Sequence, residues 1–333
     1  MRILVTGGAG FIGSVTVKKL LDQNHQVTVF DCLENGHLEA VDKRAVLVVG
    51  DLRRIESLEQ IISEGNFDAV IHFAGYIESG ESMKDPLKFF ENNFSGGLNL
   101  LKLLNKYGPK NIIFSSTAGV YGNGRPPYTE KSPIDTTSYY SMSKYFFERT
   151  LESASLAYGF KVVVLRYFNA AGALKDGTLG EDHHPETHLI PLVIKTALGL
   201  KEELYLYGTD YPTIDGTAVR DYIHVEDLAD THVLSLNKFS NDNPFFEIYN
   251  VGAGKGYSNT QVIEMVRRVS GSDFKVIKRD RRSGDWASSF ADVSKINKEF
   301  GWKAQYGLFE IVESAYLWHK NQSGLVFNDS KNG

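Results

Sequence analysis

Short β-branched runs recur through the first half of the chain, each followed by a segment with helical spacing. That alternation constrains the fold more than any other feature. The runs are RILVT (2–6), VTVF (27–30), AVLVV (45–49), AVIHF (69–73), NIIFSS (111–116) and KVVVLRY (161–167). They are largely apolar without alternation, as strands covered on both faces must be. Between them lie SVTVKKLLDQ (14–23), RIESLEQIISE (54–64), the stretch 86–106 and YSMSKYFFERTLESASLAY (140–158). In the last, Tyr140, Lys144, Phe147 and Leu151 share one helix face. Strand–helix alternation predicts the α/β class, a doubly wound parallel sheet with helices on both faces. Ligands of such sheets bind beyond the carboxyl ends of the strands, which directs attention to the residues just after each run.

The alternation loosens after about residue 170. A polar stretch (170–188) precedes helical patterns at 189–200, 226–238, 258–270 and 308–320, with strand-like EIYNV (247–251) and FKVIK (274–278) among them. This predicts a first domain over 1–170, a smaller C-terminal α/β lobe over 171–320 and a frayed tail over 321–333. IYNVG is apolar enough to rejoin the main sheet. With 42% hydrophobic and 23% charged residues, the chain has the composition of a globular protein. Its net charge of -5 lacks the basic footprint of a general nucleic-acid binder. No run approaches the length of about 18 apolar residues that a membrane span needs. Cys32 is the single cysteine, which excludes an internal disulfide and suits a reducing compartment, the cytoplasm by default.

The first run leads directly into TGGAGFIGS. Gly7, Gly10 and Gly13 thus follow a strand and open a helix, the setting in which a glycine pattern signals a dinucleotide and a Rossmann-type sheet. The early glycines permit a tight turn against a pyrophosphate, Gly13 lets the helix pack on the strand, and the helix start offers N–H groups to phosphate. Asp31, at the end of the second run, is placed to bind both ribose hydroxyls and to repel a 2′-phosphate. No Lys or Arg in 32–38 offsets that charge, so NAD is favoured over NADP. Asp51, after the third run, is placed near the adenine. Phe73, Ala74 and Gly75, after the fourth, form a segment small enough to pass under the pyrophosphate.

YSMSK (140–144) places a lysine one helical turn after a tyrosine. An ammonium beside a phenol is expected to bring its pKa from about 10 toward neutrality, which suits a general base for a sugar hydroxyl. Tyr316 and Lys320 repeat the spacing, but follow no strand and are expected on a solvated helix face. Tyr140 differs because FSSTAGVYG (114–122) precedes it. Ser115, Ser116 and Thr117 cluster at the end of the fifth run, and one of these hydroxyls can bridge Tyr140 and a substrate hydroxyl.

The glycine turn, the Tyr–Lys pair and the hydroxyl cluster together resemble the extended short-chain dehydrogenase/reductase superfamily. RYFNAAGA (166–173), GEDHHPETHLIPLV (180–193), YGTDYPTIDGTAVRDYIHVEDLAD (207–230) and RRSGDW (281–286) narrow the resemblance to the UDP-glucose 4-epimerase family, over about residues 1–320. That resemblance implies a tightly held NAD and a UDP-hexose whose carbon 4 is oxidised and then reduced on its other face, interconverting UDP-galactose and UDP-glucose. Tyr140 would be the base, Lys144 would also bind the nicotinamide ribose, and Thr117 would take the hydroxyl-bridging role usually held by serine. The resemblance adds Phe11, Ile12, Cys32, Asn35, Leu52, Asn92 and Ser115 to the cofactor contacts. Phe168 is placed at the cofactor and, with Asn169, toward UDP. It assigns His188, Leu189, Tyr207, Arg220, Arg282 and Asp285 to the UDP-sugar, where two guanidiniums suit a diphosphate.

Three positions depart from the pattern. Cys32 stands where Asn is frequent, His188 where some members carry Asn, and Trp286 where Pro is common. Ser289 matches a position lining the sugar pocket, where a small residue leaves room for a 2-acetamido group, so UDP-GlcNAc and UDP-GalNAc are expected as further substrates. DHHPETH (182–188) fits no standard zinc spacing and the implied chemistry needs no metal, so a structured, metal-free loop is expected.

Rival readings are a UDP-glucuronate or UDP-pentose 4-epimerase, a nucleotide-sugar 4,6-dehydratase and a non-catalytic NAD-binding regulator. Dehydratases place Asp-Glu after the strand-end Thr, whereas Ala118 and Gly119 follow it here. A regulator has no need of Tyr140, Lys144 and Thr117 together. The helices at 86–106 and 140–158 carry Phe89, Phe90, Phe94, Tyr145, Phe146 and Phe147, more apolar surface than one buried face uses. In the resembled family two such helices from each subunit form the interface, which implies a homodimer.

Overall fold

A computed structural model describes residues 1–282 and 285–324. The strands are β1 (Arg2–Thr6), β2 (Gln26–Asp31), β3 (Val46–Val49), β4 (Ala69–His72), β5 (Asn111–Thr117), β6 (Lys161–Tyr167), β7 (Asn169–Ala171), β8 (Glu203–Tyr207), β9 (Val219–His224), β10 (Phe245–Val251), β11 (Gly256–Ser258), β12 (Lys275–Arg279) and β13 (Ser288–Ser289). Seven of them form one parallel sheet in the order β10-β6-β5-β4-β1-β2-β3. The order reverses between β1 and β4, and a switch point of this kind opens a crevice at the carboxyl ends of the two strands.

Alternation along each strand divides the apolar residues between two faces. Ile3, Val5, Val29, Ile71, Ile113 and Val163 face one core, with Val17 and Leu20 of helix Phe11–Asp22 and Leu228 and Val233 of helix Val225–Ser235. Leu4, Phe30, Val70, Ile112, Phe114, Val162 and Val164 face the other, with Leu100, Leu104, Phe147 and Leu151. A separate core joins helices Leu189–Ala197, Asn259–Ser270 and Leu308–Gln322 through Ile190, Ile194, Val262, Val266, Ile311 and Val312.

The second half therefore contributes to both bodies. β10 adds a strand beside β6, with Ile248 opposite Val164, and helix Val225–Ser235 covers one face of the sheet. β9 pairs with β7, β11 and β13, and β8 with β12. The sequence VRDYIH does not read as a strand because its buried positions include charged and polar groups. Asp221 is buried because its carboxylate accepts N–H bonds from Ala253 (2.8 Å), Gly254 (3.0 Å) and Ala291 (3.1 Å).

Helix Tyr139–Tyr158 starts at a capping box between Ser138 and Ser141 and stops at Gly159, whose φ of +76° suits a left-handed cap. The expected helix at 86–106 is a compound one: Pro86–Phe89, a wide turn over Phe90–Ser95, and Gly96–Tyr107. Gly97 allows it to lie against helix Tyr139–Tyr158, since a Cβ there would come within 2.8 Å of the Phe147 ring. Of the six aromatic residues singled out on these helices, Phe89 and Phe147 are core, whereas Phe146 is 44% exposed. Tyr316 is not on a solvated face. It packs, half-buried, against the C-terminal core, because the helix that carries it is sandwiched there. That helix also runs to Gln322, into the expected tail, while 325–333 lie outside the described residues. Among the described residues no helix is long and apolar enough to cross a membrane.

Candidate active site

The glycine turn sits at the switch point. Gly7 has φ +75°, and a Cβ there would fall 2.5 Å from the Ala74 nitrogen. One on Gly13 would fall 2.1 Å from the Gly7 oxygen. Both contacts are with backbone, so nothing can yield, and glycine is required. Gly10 caps helix Phe11–Asp22 without a side-chain hydrogen bond, and no acidic residue occupies the first turn. Phe11 and Ile12 thus begin a helix whose positive end is uncompensated, which suits a phosphate. Asp31 accepts the N–H of Ala9 (3.0 Å) and of Leu33 (2.9 Å), tying the glycine turn to the end of β2. A carboxylate has lone pairs left after two such bonds, so a ribose can still be held. Cys32 and Asn35 lie exposed on the loop that follows.

Asp51 is not free to meet an adenine unaided. Its carboxylate is gripped by Arg53 (Nε to Oδ1 3.0 Å, to Oδ2 2.9 Å), which holds its pKa below the usual range. Arg53 also reaches Glu34 (3.0 Å) and the Tyr76 hydroxyl (3.1 Å). No spacing in the sequence signals this cluster. Leu52 is buried beside it. The Phe73 and Ala74 amides both donate to the Thr6 oxygen (2.9 and 3.1 Å), and the Phe73 ring packs on His232 at 4.6 Å. Asn92 donates to Asn93 (3.1 Å), and buried Asn93 braces the Tyr76 backbone (2.8 and 3.0 Å) and the Ser143 hydroxyl (3.2 Å).

The three hydroxyls ending β5 separate by direction. Ser115 is buried, shares a hydrogen bond with His232 Nε2 (2.8 Å), and its carbonyl accepts from Lys144 Nζ at 3.1 Å. Ser115 thus turns its hydroxyl to His232 and its carbonyl to Lys144. The Ser116 hydroxyl donates to Glu148. Of the three, Thr117 is the hydroxyl that acts on the Tyr140 phenol, and its oxygen accepts the Gly119 N–H at 3.0 Å. The neighbourhood of Lys144 does not bring the phenol toward neutrality. Burial pushes Tyr140 up to about 12, and the Thr117 hydrogen bond only partly opposes it. The ammonium is turned to Ser115 and toward Gly75, where a Cβ would lie 3.1 Å from Nζ. Burial lowers Lys144 to about 8, with the Glu148 charge acting against the fall.

Glu148 and Arg166 form a buried pair behind the site that sequence reading does not single out. Arg166 Nε lies 3.0 and 3.2 Å from the two carboxylate oxygens and Nη2 2.5 Å from Oε2. Arg166 continues to Tyr121 (3.1 Å), and Tyr121 to Asn250 of β10 (2.6 Å). The only sequence signal is polarity at inward positions of a helix and a strand.

Residues expected at the nucleotide-sugar end fall in two groups. Phe168 is buried, with its N–H on the Val251 oxygen (3.0 Å), and Asn169 opens β7, exposed. Arg220 donates to the Trp286 oxygen (3.0 Å), and its Nη2 lies 3.9 Å from Asp285. Arg220 therefore serves this loop rather than its neighbour Asp221. Arg282 stacks on Tyr207 at 4.0 Å. Ser289 is buried and paired in register with Arg220. His188 is the N-cap of the helix that Leu189 begins, and its ring bonds Glu181. Residues 283–284 of RRSGDW lie outside the described residues.

Residues 3–252 match the model of the NAD dependent epimerase/dehydratase family. A UDP-glucose 4-epimerase of Lacticaseibacillus casei is 45% identical over 323 residues, covering 96% of this chain and 97% of its own. The solved UDP-glucose 4-epimerase of Bifidobacterium longum in complex with NAD+ and UDP superposes with TM-score 0.92 at 39% identity, covering 98% and 100%. The UDP-Glc/GlcNAc 4-epimerase of Campylobacter jejuni superposes with TM-score 0.84 at 38% identity, covering 96% and 99%.

Proposed function

The chain belongs to the NAD dependent epimerase/dehydratase family, and on that premise we propose that it interconverts UDP-galactose and UDP-glucose through transient oxidation of sugar carbon 4. The observation that carries this reading is the convergence of Thr117, Tyr140 and Lys144 beyond the carboxyl end of β5, beside a glycine cradle closed to any side chain. The donor set fits NAD: the Gly7–Gly13 turn would hold the pyrophosphate, Asp31 a ribose, and Lys144 the nicotinamide ribose. When bound, NAD supplies a two-electron oxidant and a positive ring charge that favours the phenolate.

Tyr140 then takes the proton of the sugar 4-hydroxyl, with Thr117 orienting both oxygens. The 4-keto sugar turns while its UDP remains held by Arg220 and Arg282, with Asp285 on the uridine ribose and Asn169, Leu189 and Tyr207 around the nucleotide. Tyr140 returns the proton after reduction on the opposite face. Ala118 and Gly119 after Thr117 supply no acid for elimination of water, which argues against a dehydratase.

Ser289, small and beside Arg220, leaves room for a 2-acetamido group, so UDP-GalNAc is a second substrate. Ser289→Tyr should remove UDP-GalNAc turnover and spare UDP-galactose, and equal loss of both would refute this role. The enzyme is read as a cytoplasmic homodimer joined through helices Gly96–Tyr107 and Tyr139–Tyr158, where Leu156 (85%) and Phe146 (44%) are exposed. The deciding experiment is NMR of UDP-galactose with the purified protein and no added cofactor. UDP-glucose should appear; silence persisting after NAD is added would overturn the proposal.

A further inference from the structure

We propose that Glu181, His183, Glu186 and His188 form a structural site for one divalent transition-metal ion of the zinc class. The residues lie on the loop between the Ala173–Gly180 bridge and helix Leu189–Ala197. One ligand atom from each of the four lies within 4.8 Å of all the others. In a tetrahedral site with bonds of about 2.1 Å, ligand atoms sit roughly 3.4 Å apart. His183 Nδ1 is 3.5 Å from Glu181 Oε1 and 3.9 Å from Glu186 Oε2. His188 Nδ1 contacts the same Glu181 oxygen. The four ligand atoms are gathered around one point, and closing on an ion requires Glu181 and His188 to exchange their mutual hydrogen bond for bonds to the metal.

A second observation is independent of that spacing. The Glu186 side chain is 95% buried (5% exposed), and its Oε2 has no hydrogen-bond partner, while the His183 nitrogen it faces is beyond hydrogen-bond length. The other oxygen of Glu186 is fixed by the N–H groups of Thr187 (2.7 Å) and His188 (2.8 Å), which aims Oε2 inward. A buried carboxylate oxygen without a partner is costly, and a second buried carboxylate, Glu181 (4% exposed), adds to the local negative charge. A dication would give Glu186 Oε2 its missing partner and offset the charge of both carboxylates. Two imidazoles and two carboxylates favour zinc-class ions over calcium or magnesium, which prefer all-oxygen cages. The four protein ligands close the coordination sphere, which marks a structural rather than a catalytic site.

The ion would fix the loop that delivers Leu189 to the nucleotide. It would also strengthen the link to the cofactor side, where His37 Nε2 meets the Asp182 oxygen at 3.3 Å.

The test is direct. The full-length protein, purified without a histidine tag and stripped with a chelator, is titrated with Zn2+ alone against a chromophoric competitor at neutral pH. One equivalent should bind, and unfolding should shift to higher temperature with it. Glu186→Gln, close in shape, and His183→Ala should each weaken binding at least 10-fold, while His184→Ala should not. Less than a tenth of an equivalent bound at micromolar free Zn2+ would overturn the site. So would undiminished binding by folded His183→Ala and Glu186→Gln proteins, with folding checked by circular dichroism. None of these readouts needs a sugar substrate, so they stand apart from the test of epimerase activity.

Discussion

Replacing Glu148 with Gln alters one buried charge and should register twice. Arg166 and Glu148 are 3% and 1% exposed, and three nitrogen–oxygen contacts of 2.5 to 3.2 Å join them. In Glu148→Gln the guanidinium stays buried and keeps the Tyr121 hydroxyl at 3.1 Å and one amide oxygen, but it loses one acceptor and has no countercharge beside it. Breaking such a pair from one side costs about 3–5 kcal/mol. A charge interaction at roughly 3 Å with an effective dielectric near 20 gives about 5 kcal/mol, in the same range. At about 0.7 kcal/mol/K of unfolding entropy for a chain of this length, a loss of about 4 kcal/mol lowers the unfolding midpoint by roughly 6 °C. The second effect is on Lys144. Burial holds it at about 8, below its ordinary 10.5, and the Glu148 charge resists that fall. The ammonium is present below about pH 8 and lost above it, so removing Glu148 shifts the loss to lower pH. Stability, penalised by burying the ammonium, rises as pH climbs from about 8 toward 10.5, and in the variant this rise begins earlier. Calorimetry and a pH–kcat profile read the two effects separately. A midpoint within about 1 °C of the parent, or an unmoved alkaline limb, would refute the argument. The double variant Glu148→Met, Arg166→Leu should recover most of the stability, since neither charge is then left alone.

Three further outcomes are expected. Tyr140→Phe should lower kcat about 10²- to 10⁴-fold while NAD remains bound, measured by NMR turnover and by absorbance of cofactor released on denaturation. Gly13→Ala forces a Cβ to 2.1 Å from the Gly7 oxygen, so the protein should purify without NAD and lose about 1–3 kcal/mol, read by the same absorbance and by urea unfolding. Phe146→Asp should convert a dimer to the 37.2 kDa chain in light scattering, and an unchanged mass would place the interface elsewhere.

The parallel sheet was legible because six apolar runs carry it, and β1 to β6 lie within a residue of those runs. β9 was not, since buried Asp221 and His224 make its sequence look polar, and its stability comes from backbone donors far along the chain. At the site, glycines 7 and 13 could be read because their constraint is local. The division of labour among Ser115, Ser116 and Thr117 could not, because it depends on His232, Glu148 and Tyr140 approaching from separate elements. The Tyr140 phenol shows the limit of pairwise reasoning: helical spacing set Lys144 one turn away, but its ammonium is turned to the Ser115 carbonyl, and burial pushes the phenol up. DHHPETH (182–188) stands out in the sequence for its histidines and carboxylates, but its spacing matches no standard zinc pattern, and only the folded loop gathers Glu181, His183, Glu186 and His188.

The seventh strand of the sheet also governs how the protein can be made. β6 is complete at Tyr167, but its outer partner β10 ends at Val251. A ribosome adding about 5–20 residues per second needs roughly 4 to 17 s to cover that interval. Throughout it, Val162 to Leu165 lie on an open edge able to pair with a neighbouring nascent chain. Slowing synthesis between these two strands should therefore raise the insoluble fraction, and a fragment ending near residue 170 should aggregate rather than fold as a free cofactor-binding module.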